Sequence, residues 1–121
     1  MDWYSTKRSR CDEGREKIAA LDLECIFTQL TAPVETGGYE WPQKEAREAL
    51  NDYRDFLIDA LELEIKYDEE RARDPRAWPS KAVDIVWHTH ILFTEKYFED
   101  CDVIFGHYLH HRPQVTQPVT G

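Results

Sequence analysis

The sequence predicts an all-α fold: a single compact domain of about four helices, with a long central helix. Three observations indicate this. Apolar residues recur at three- and four-residue steps over residues 42–68, no segment alternates as a half-buried strand would, and prolines and glycines gather between the periodic segments. With 121 residues the chain suits one hydrophobic core, so we expect one domain, 1–121.

The N-terminal part predicts a loose arm at residues 1–10 and a first helix at about residues 12–30. Asp12 can cap that helix, and apolar residues follow it at helical spacing. Residues 31–41 contain a proline and a Gly-Gly pair, which are typical of turns. We therefore expect a loop between the first helix and the central one.

The central helix is predicted at about residues 42–68 and carries two stripes. The apolar stripe predicts a buried face. Beside it runs a stripe of carboxylates, whose like charges mildly oppose helix formation at this spacing. The stripe is either a solvated face or a docking surface for a basic protein partner. Its members are Glu45, Glu48, Asp52, Asp55, Asp59 and Glu62.

The C-terminal part predicts two shorter helices. Residues 71–80 contain two prolines, which predict a loop. Trp78 in this loop is expected to pack onto the core. Ser80 can cap a third helix at about residues 81–91. A fourth follows at about 95–105, capped by Thr94 and ended by Gly106, and the tail at 114–121 is expected to fray.

The charge and the cysteines restrict the partners and the compartment. The net charge of −9 repels phosphate backbones and anionic lipids, which argues against nucleic-acid and membrane binding. No apolar run approaches the length of a membrane span or a secretion signal. Three widely spaced cysteines give no disulfide framework and suit a reducing compartment, so the expected location is cytoplasmic.

The segment Val83–Pro113 holds the residues best suited to chemistry, including all five histidines of the chain. Imidazole, thiolate and carboxylate donors suit zinc or iron, so the segment predicts a transition-metal site. The predicted ligands are Asp84, His88, Cys101, His107 and His111. The residues predicted to support them are Trp87, His90, Tyr97, Asp100 and His110.

Helix geometry assigns different roles to the first two histidines. Positions two apart on a helix point about 200° from each other, so His88 and His90 cannot both bind one ion on a regular helix. Asp84 and His88 share one face, whereas Trp87 and His90 are expected to face the core. The alternative is that the histidines form a polar core network without metal.

Two functions follow from these residues. A metal-bound water could support hydrolytic or oxidative chemistry. Alternatively, the protein is a non-catalytic interaction module that uses its acidic helix face. Common catalytic motifs are absent from the sequence, among them His-Glu-x-x-His, a glycine-rich phosphate loop and Gly-x-Ser-x-Gly. A nucleophilic pair of Cys101 with a histidine is compatible with the spacing, so the sequence leaves open whether the protein is an enzyme.

The segment also resembles a known family. The run Val83–Leu92 (VDIVWHTHIL), followed by Tyr97, Asp100-Cys101, Phe105-Gly106 and His110-His111, is similar to the signature of the glycine-rich domain-containing protein-like family. The resemblance covers residues 83–111 of the 121. It departs where Phe93-Thr94 replaces an expected proline, and the chain, with five glycines, has no glycine-rich tail. The family has no settled reaction, so the resemblance implies only that these residues act as a set: Trp87, His88, His90, Tyr97, Asp100, Cys101 and His111.

Overall fold

Helices account for most of the chain that the computed structural model describes, residues 3–67 and 79–111. Those ranges contain five α-helices, one short 3-10 helix (Val34–Thr36) and no strand, which confirms the all-α prediction. Among them, no helix has both the length and the apolar character that a bilayer span needs. The helices are α1 (Trp3–Ala19), α2 (Glu24–Thr31), α3 (Gln43–Tyr67), α4 (Lys81–Leu92) and α5 (Thr94–Phe105).

The central helix α3 lies within one residue of its predicted bounds, and it packs against α1, α2 and α4. Its apolar stripe is buried, with Tyr53 at 0% and Leu57 at 2% exposure. α1 approaches closely enough that a Cβ on its buried Gly14 would clash with Leu61. The buried residues form one hydrophobic cluster, so the predicted single compact domain is confirmed.

The prediction for the N-terminal helix is wrong at both ends. The helix starts at Trp3, so residues 3–10 are helical where a loose arm was expected. It also stops at Ala19, and α2 begins only at Glu24. A continuous helix over residues 12–30 therefore does not form.

The break after α1 has a physical cause in α3. The guanidinium of Arg54 donates to the backbone oxygen of Ile18 at 2.6 Å and to that of Leu21 at 2.9 Å. The Leu21 carbonyl has left the helical ladder, and the Ile18 carbonyl otherwise accepts a bond of 3.2 Å from the N–H of Leu21. The carboxylate of Asp22 then accepts from the N–H of Glu24 at 3.0 Å, which helps α2 to start.

The predicted proline- and glycine-containing loop joins α2 to α3. Its base is closed by two backbone bonds, from the N–H of Glu40 to the oxygen of Ala32 and from Trp41 to Leu30, each 2.9 Å long. Gly38 is buried at this point, where an added Cβ would clash with the backbone of Ala32. The absence of a side chain therefore lets two backbone segments meet.

The ends of α4 and α5 largely follow the predictions. The Ser80 hydroxyl accepts from the N–H of Val83 at 3.2 Å, so the predicted cap of α4 is confirmed. Thr94 does not cap α5, because it lies inside the helix and Phe93 occupies the cap position. Gly106 ends α5 with φ +77°, as expected. Trp78 and the tail at 114–121 lie outside the described residues.

Candidate functional site

A hydrogen-bonded chain inside the protein joins α3, α4 and α5 through His90. The Nδ1 of this imidazole lies 2.7 Å from the hydroxyl of Tyr53, and its Nε2 lies 2.8 Å from a carboxylate oxygen of Asp100. The ammonium of Lys96 lies 3.1 Å from the same oxygen. Tyr53 and His90 are fully buried, while Asp100 and Lys96 connect the chain to the surface.

The partners of His90 define its tautomer. A carboxylate only accepts hydrogen bonds, so Nε2 carries the proton that Asp100 accepts. Burial lowers the pKa of His90, and the hydrogen bond that the ring donates to Asp100 only partly opposes this. The ring is therefore neutral near pH 7, and Nδ1 accepts from Tyr53, whose own pKa burial raises far above its usual value. The prediction that His90 faces the core is confirmed.

A second buried series of hydrogen bonds fixes the segment that follows α5. The indole N–H of Trp87 donates to the hydroxyl of Tyr97 at 2.8 Å, and that hydroxyl donates in turn to the backbone oxygen of Leu109. Trp87 is only 4% exposed, as its predicted core position requires. The two bonds hold the chain beyond Gly106 against α4 and α5.

Cys101 lies with this second series and not with the histidines predicted to share a metal with it. The thiol is 3% exposed, beside the Tyr97 hydroxyl and the backbone of Leu109. Burial raises the pKa of Cys101, although both of these neighbours oppose the shift. A protonated, buried thiol is a weak nucleophile and a weak ligand, so this environment favours a packing role.

On the outer side of α4, Asp84 and His111 are in direct contact. The Nε2–H of His111 donates to the Asp84 carboxylate at 2.7 Å. The ring of His111 packs on Trp87 with 4.2 Å between ring centroids, and the exposed ring of His88 lies 6.4 Å away. The expected common face of Asp84 and His88 is therefore present, and His111 is the residue that joins it.

The two remaining histidines lie elsewhere. His107 bonds through Nε2 to the carboxylate of Glu64 on α3. His110 is exposed and packs edge-on against Tyr108, with ring centroids 5.0 Å apart.

The five predicted ligands are thus divided among three places. In the part of the chain that the structure describes, no three histidine, cysteine, aspartate or glutamate side chains converge as a metal site requires. Asp84, His88 and His111 come closest to each other. Cys101 lies in the core, and His107 lies against α3. The zinc or iron site stays a prediction.

The carboxylates predicted on α3 form a continuous surface, the acidic ridge (Glu45, Glu48, Asp52, Asp55, Asp59 and Glu62). Its first five members are exposed, and Glu62 is half-buried and paired with Arg15. Among the described residues, Glu62 alone of the ridge takes part in a salt bridge. The pKa of Asp59 is raised by its partial burial and then by the nearby charges of Glu62 and Asp55.

A groove of about 190 Å³ lies between this ridge and the start of α4. We call it the acidic groove. Three ridge carboxylates line it together with apolar atoms of Phe56 and Val83. It combines a negative rim with an apolar floor. The described residues that line it are Asp52, Asp55, Phe56, Asp59, Pro79, Ser80 and Val83.

Sequence reasoning missed the residues that complete these arrangements. Tyr53 was assigned to the apolar stripe, although a buried phenol normally needs a hydrogen-bond partner. That requirement could have paired it with His90, the buried histidine. Glu64 gave no such signal, because its partner His107 is 43 positions away in another segment. The pair of Lys96 with Asp100 could have been found, because the two residues are one turn apart on the same predicted helix.

The fold and its buried hydrogen bonds define a small all-α domain. Its histidine-rich segment, residues 83–111, is held to the core through Trp87, His90 and Tyr97. The chain belongs to the UCP032817-like family, whose model matches residues 28–118. That range begins within α2 and includes both the acidic groove and the histidine-rich segment.

This match corrects the resemblance drawn from the sequence. The glycine-rich domain-containing protein-like family is not the family that matches, and nothing else supports it. The residues behind that resemblance include Trp87, His90, Tyr97 and Cys101, which are buried between packed helices. Such positions reflect packing needs that different helical domains can share. No curated protein and no solved structure is detectably similar to the chain.

Proposed function

We propose that this protein is a non-catalytic interaction module that binds a basic segment of a partner protein in the acidic groove. The observation that carries the proposal is the composition of that groove, in which Asp52, Asp55 and Asp59 surround apolar atoms of Phe56 and Val83. Charged rims around apolar floors are typical of surfaces that bind peptides.

The electrostatics of the ridge favour a cationic partner. The raised pKa of Asp59 results from partial burial and from the neighbouring carboxylates Glu62 and Asp55. Lysine or arginine side chains placed here would relieve this repulsion and would be steered by the net charge of −9. The five exposed members of the ridge make no salt bridge within the described residues.

The spacing of the carboxylates restricts the partner. Asp52 and Asp59 are seven residues apart, which is roughly 10 Å along a helix. A matching segment has basic side chains spread over that length and one apolar side chain between them, directed at Phe56. Each exposed charge pair contributes about 0.2–1 kcal/mol, so the apolar contact is needed for useful affinity.

The buried hydrogen bonds support this role by holding the two walls of the groove together. Tyr53 lies on α3 beside the acidic ridge, and His90 lies on α4, which forms the other wall. A wall fixed by buried bonds loses little conformational entropy when a partner binds.

A defined peptide tests the proposal. The probe is a fluorescent helical peptide with lysines at positions i, i+3 and i+7 and a leucine at i+4, measured by anisotropy at physiological salt. The triple variant D52N/D55N/D59N should bind it about 3- to 150-fold more weakly than the wild type, because three charge pairs are lost. A peptide with glutamates in place of lysines should not bind either protein.

The matched control removes the same amount of charge elsewhere. The variant E13Q/E16Q/D102N neutralises three exposed carboxylates outside the groove. It should bind the lysine peptide within about twofold of the wild type, since none of the three carboxylates lines the groove and salt screens exposed charges. If both triple variants lose the same affinity, or neither does, binding depends on net charge or lies elsewhere and the proposal fails.

We place this activity in the cytoplasm. All three cysteines are free, with Cys101 buried, which supports a reducing compartment. The predicted metal-dependent hydrolytic or oxidative chemistry stays a prediction, and no reaction step is assigned to it.

A further inference from the structure

We infer a divalent-metal site on the outer face of α4, formed by Asp84, His88 and His111, that takes zinc or a similar transition-metal ion. It goes beyond the proposed function because the acidic ridge of α3 contributes nothing to it. Cys101 and His107, both predicted as ligands from the sequence, are not part of it.

Two of the three ligands are presented by one helix. Asp84 and His88 are one turn apart on α4, so their Cβ atoms are about 5–6 Å apart on the same face. Helices use this four-residue spacing to direct two side chains at one ion. The side chain of Asp84 is 48% exposed, and His88 is exposed as well. An ion can therefore reach both from solvent.

The third ligand is already beside them. His111 Nε2 lies 2.7 Å from the Asp84 oxygen. Ligand atoms about 2.0–2.1 Å from a tetrahedral zinc are roughly 3.3 Å apart, so this pair needs to open by only about 0.6 Å. When Nε2 binds metal it gives up its proton, and Nδ1 carries the one proton of the neutral imidazole ligand.

His88 completes the site by a side-chain rotation. Its ring centroid is 6.4 Å from that of His111, whereas two imidazoles on one zinc have centroids roughly 5 Å apart. No hydrogen bond or ion pair within the described residues holds the ring of His88, which allows the movement. The described residues contain no preformed three-ligand group, so the ion itself draws His88 in.

Contacts with the protein core fix the position of His111. Its ring packs on the buried Trp87 at 4.2 Å between centroids. The bond from Tyr97 to the backbone oxygen of Leu109 anchors the chain two residues earlier. Preorganised ligands lose little entropy on binding. Two imidazoles and one carboxylate suit zinc, cobalt, nickel or ferrous iron better than calcium or magnesium, and they leave a coordination position open to water.

Cobalt(II) is the probe for the test, used with protein purified without a histidine tag. One equivalent should produce a visible d–d absorption band and quench tryptophan fluorescence through Trp87, and zinc should reverse both signals. H88A should weaken binding at least about tenfold. Since His88 is exposed, this variant keeps the fold. D84N and H111A should weaken binding to a similar degree.

The controls are the two histidines outside the site. H107A and H110A should bind cobalt within about twofold of the wild type, and H88A should bind the lysine peptide as the wild type does. No cobalt band up to millimolar concentration, unchanged affinity in H88A, or equal loss in H110A would each overturn the site. A failure here leaves peptide binding in the acidic groove unaffected, so the two proposals fail separately.

Discussion

His90 Nε2 donates a hydrogen bond to Asp100 at 2.8 Å, which joins α4 to α5 inside the protein. The other ring nitrogen accepts from Tyr53 of α3, so one imidazole links three helices. Because Phe93 alone separates α4 from α5 along the chain, this link also sets the angle at which the two helices meet. Buried polar chains of this kind favour one packing arrangement when every member has a partner.

Removing the Tyr53 hydroxyl tests the value of this link. Tyr53→Phe leaves Nδ1 of the buried His90 without a donor, so the free energy of unfolding should fall by about 1–3 kcal/mol. Urea denaturation followed by circular dichroism measures this. The matched control is Tyr39→Phe at an exposed ring, with an expected change within about 0.5 kcal/mol. Equal effects of the two changes would show that the Tyr53–His90 bond does not contribute.

The lowered pKa of His90 predicts a pH dependence of stability. Burial places its folded pKa below the ordinary value of 6.5. Between these two pKa values the unfolded state binds more protons than the native state, so stability falls as the pH falls through this window. The free energy of unfolding of the wild type minus that of His90→Leu should be constant above about pH 7. This difference should decrease below about pH 6.5. The slope is at most about 1.4 kcal/mol per pH unit.

Urea denaturation of both proteins at pH 7.5, 6.5 and 5.5 measures the difference. The comparison isolates His90, because all other titrating groups are present in both proteins. The opposite result, a difference that grows on acidification, would mean that the native state holds an imidazolium ion paired with Asp100. Burial would then not be the dominant influence on this histidine.

The sequence predicted those features that depend on local periodicity. The bounds of α3 were accurate to one residue because its apolar stripe continues without a proline or glycine. The opposite directions of His88 and His90 follow from helix geometry alone, and the structure has one exposed and the other buried. Ser80 and Gly106 act at helix ends as their chemistry predicts.

Features that depend on distant partners could not be predicted in this way. The end of α1 depends on Arg54, which is 36 positions from the Ile18 carbonyl. The contact between Asp84 and His111 depends on the path of the chain after Gly106, which Tyr97 determines through a backbone carbonyl. The spacing of residues along a helix does not show where the chain goes after the helix ends. The sequence therefore could not show that the five predicted ligands lie in three separate places.

Arg54 provides a test of how α1 ends. Arg54→Met keeps the aliphatic part of the side chain and removes the two hydrogen bonds to Ile18 and Leu21. We expect a loss of about 1.5–3 kcal/mol in the free energy of unfolding, together with faster amide exchange in the last turn of α1. Hydrogen exchange measured by NMR locates the effect. The control is Arg47→Met, which removes an exposed pair with Glu24 and a cation–π contact on Phe27, and which should leave amide exchange at the end of α1 unchanged. Unchanged exchange at the end of α1 in Arg54→Met would contradict a capping role.

Gly38 and Gly106 allow the cost of a steric clash to be compared with the cost of an unfavourable backbone angle. A Cβ at Gly38 would come within 2.6 Å of the carbonyl carbon of Ala32 and closer still to its oxygen, so the backbone itself must shift. Gly106 has open space around it, and only its φ of +77° opposes a side chain. Gly106→Ala should therefore cost about 1 kcal/mol, and Gly38→Ala at least about 2 kcal/mol.

Urea denaturation gives both costs, and amide exchange at Glu40 and Trp41, whose N–H groups close the base of the loop, reports whether the loop has moved in Gly38→Ala. The bond from Glu40 to Ala32 crosses this contact, so its loss adds to the cost of the shift. A smaller cost for Gly38→Ala than for Gly106→Ala would show that the loop between α2 and α3 adjusts freely. In that event the close approach of the two backbone segments is not needed to position α3, and the packing of α3 against α1 and α4 fixes its wall of the acidic groove.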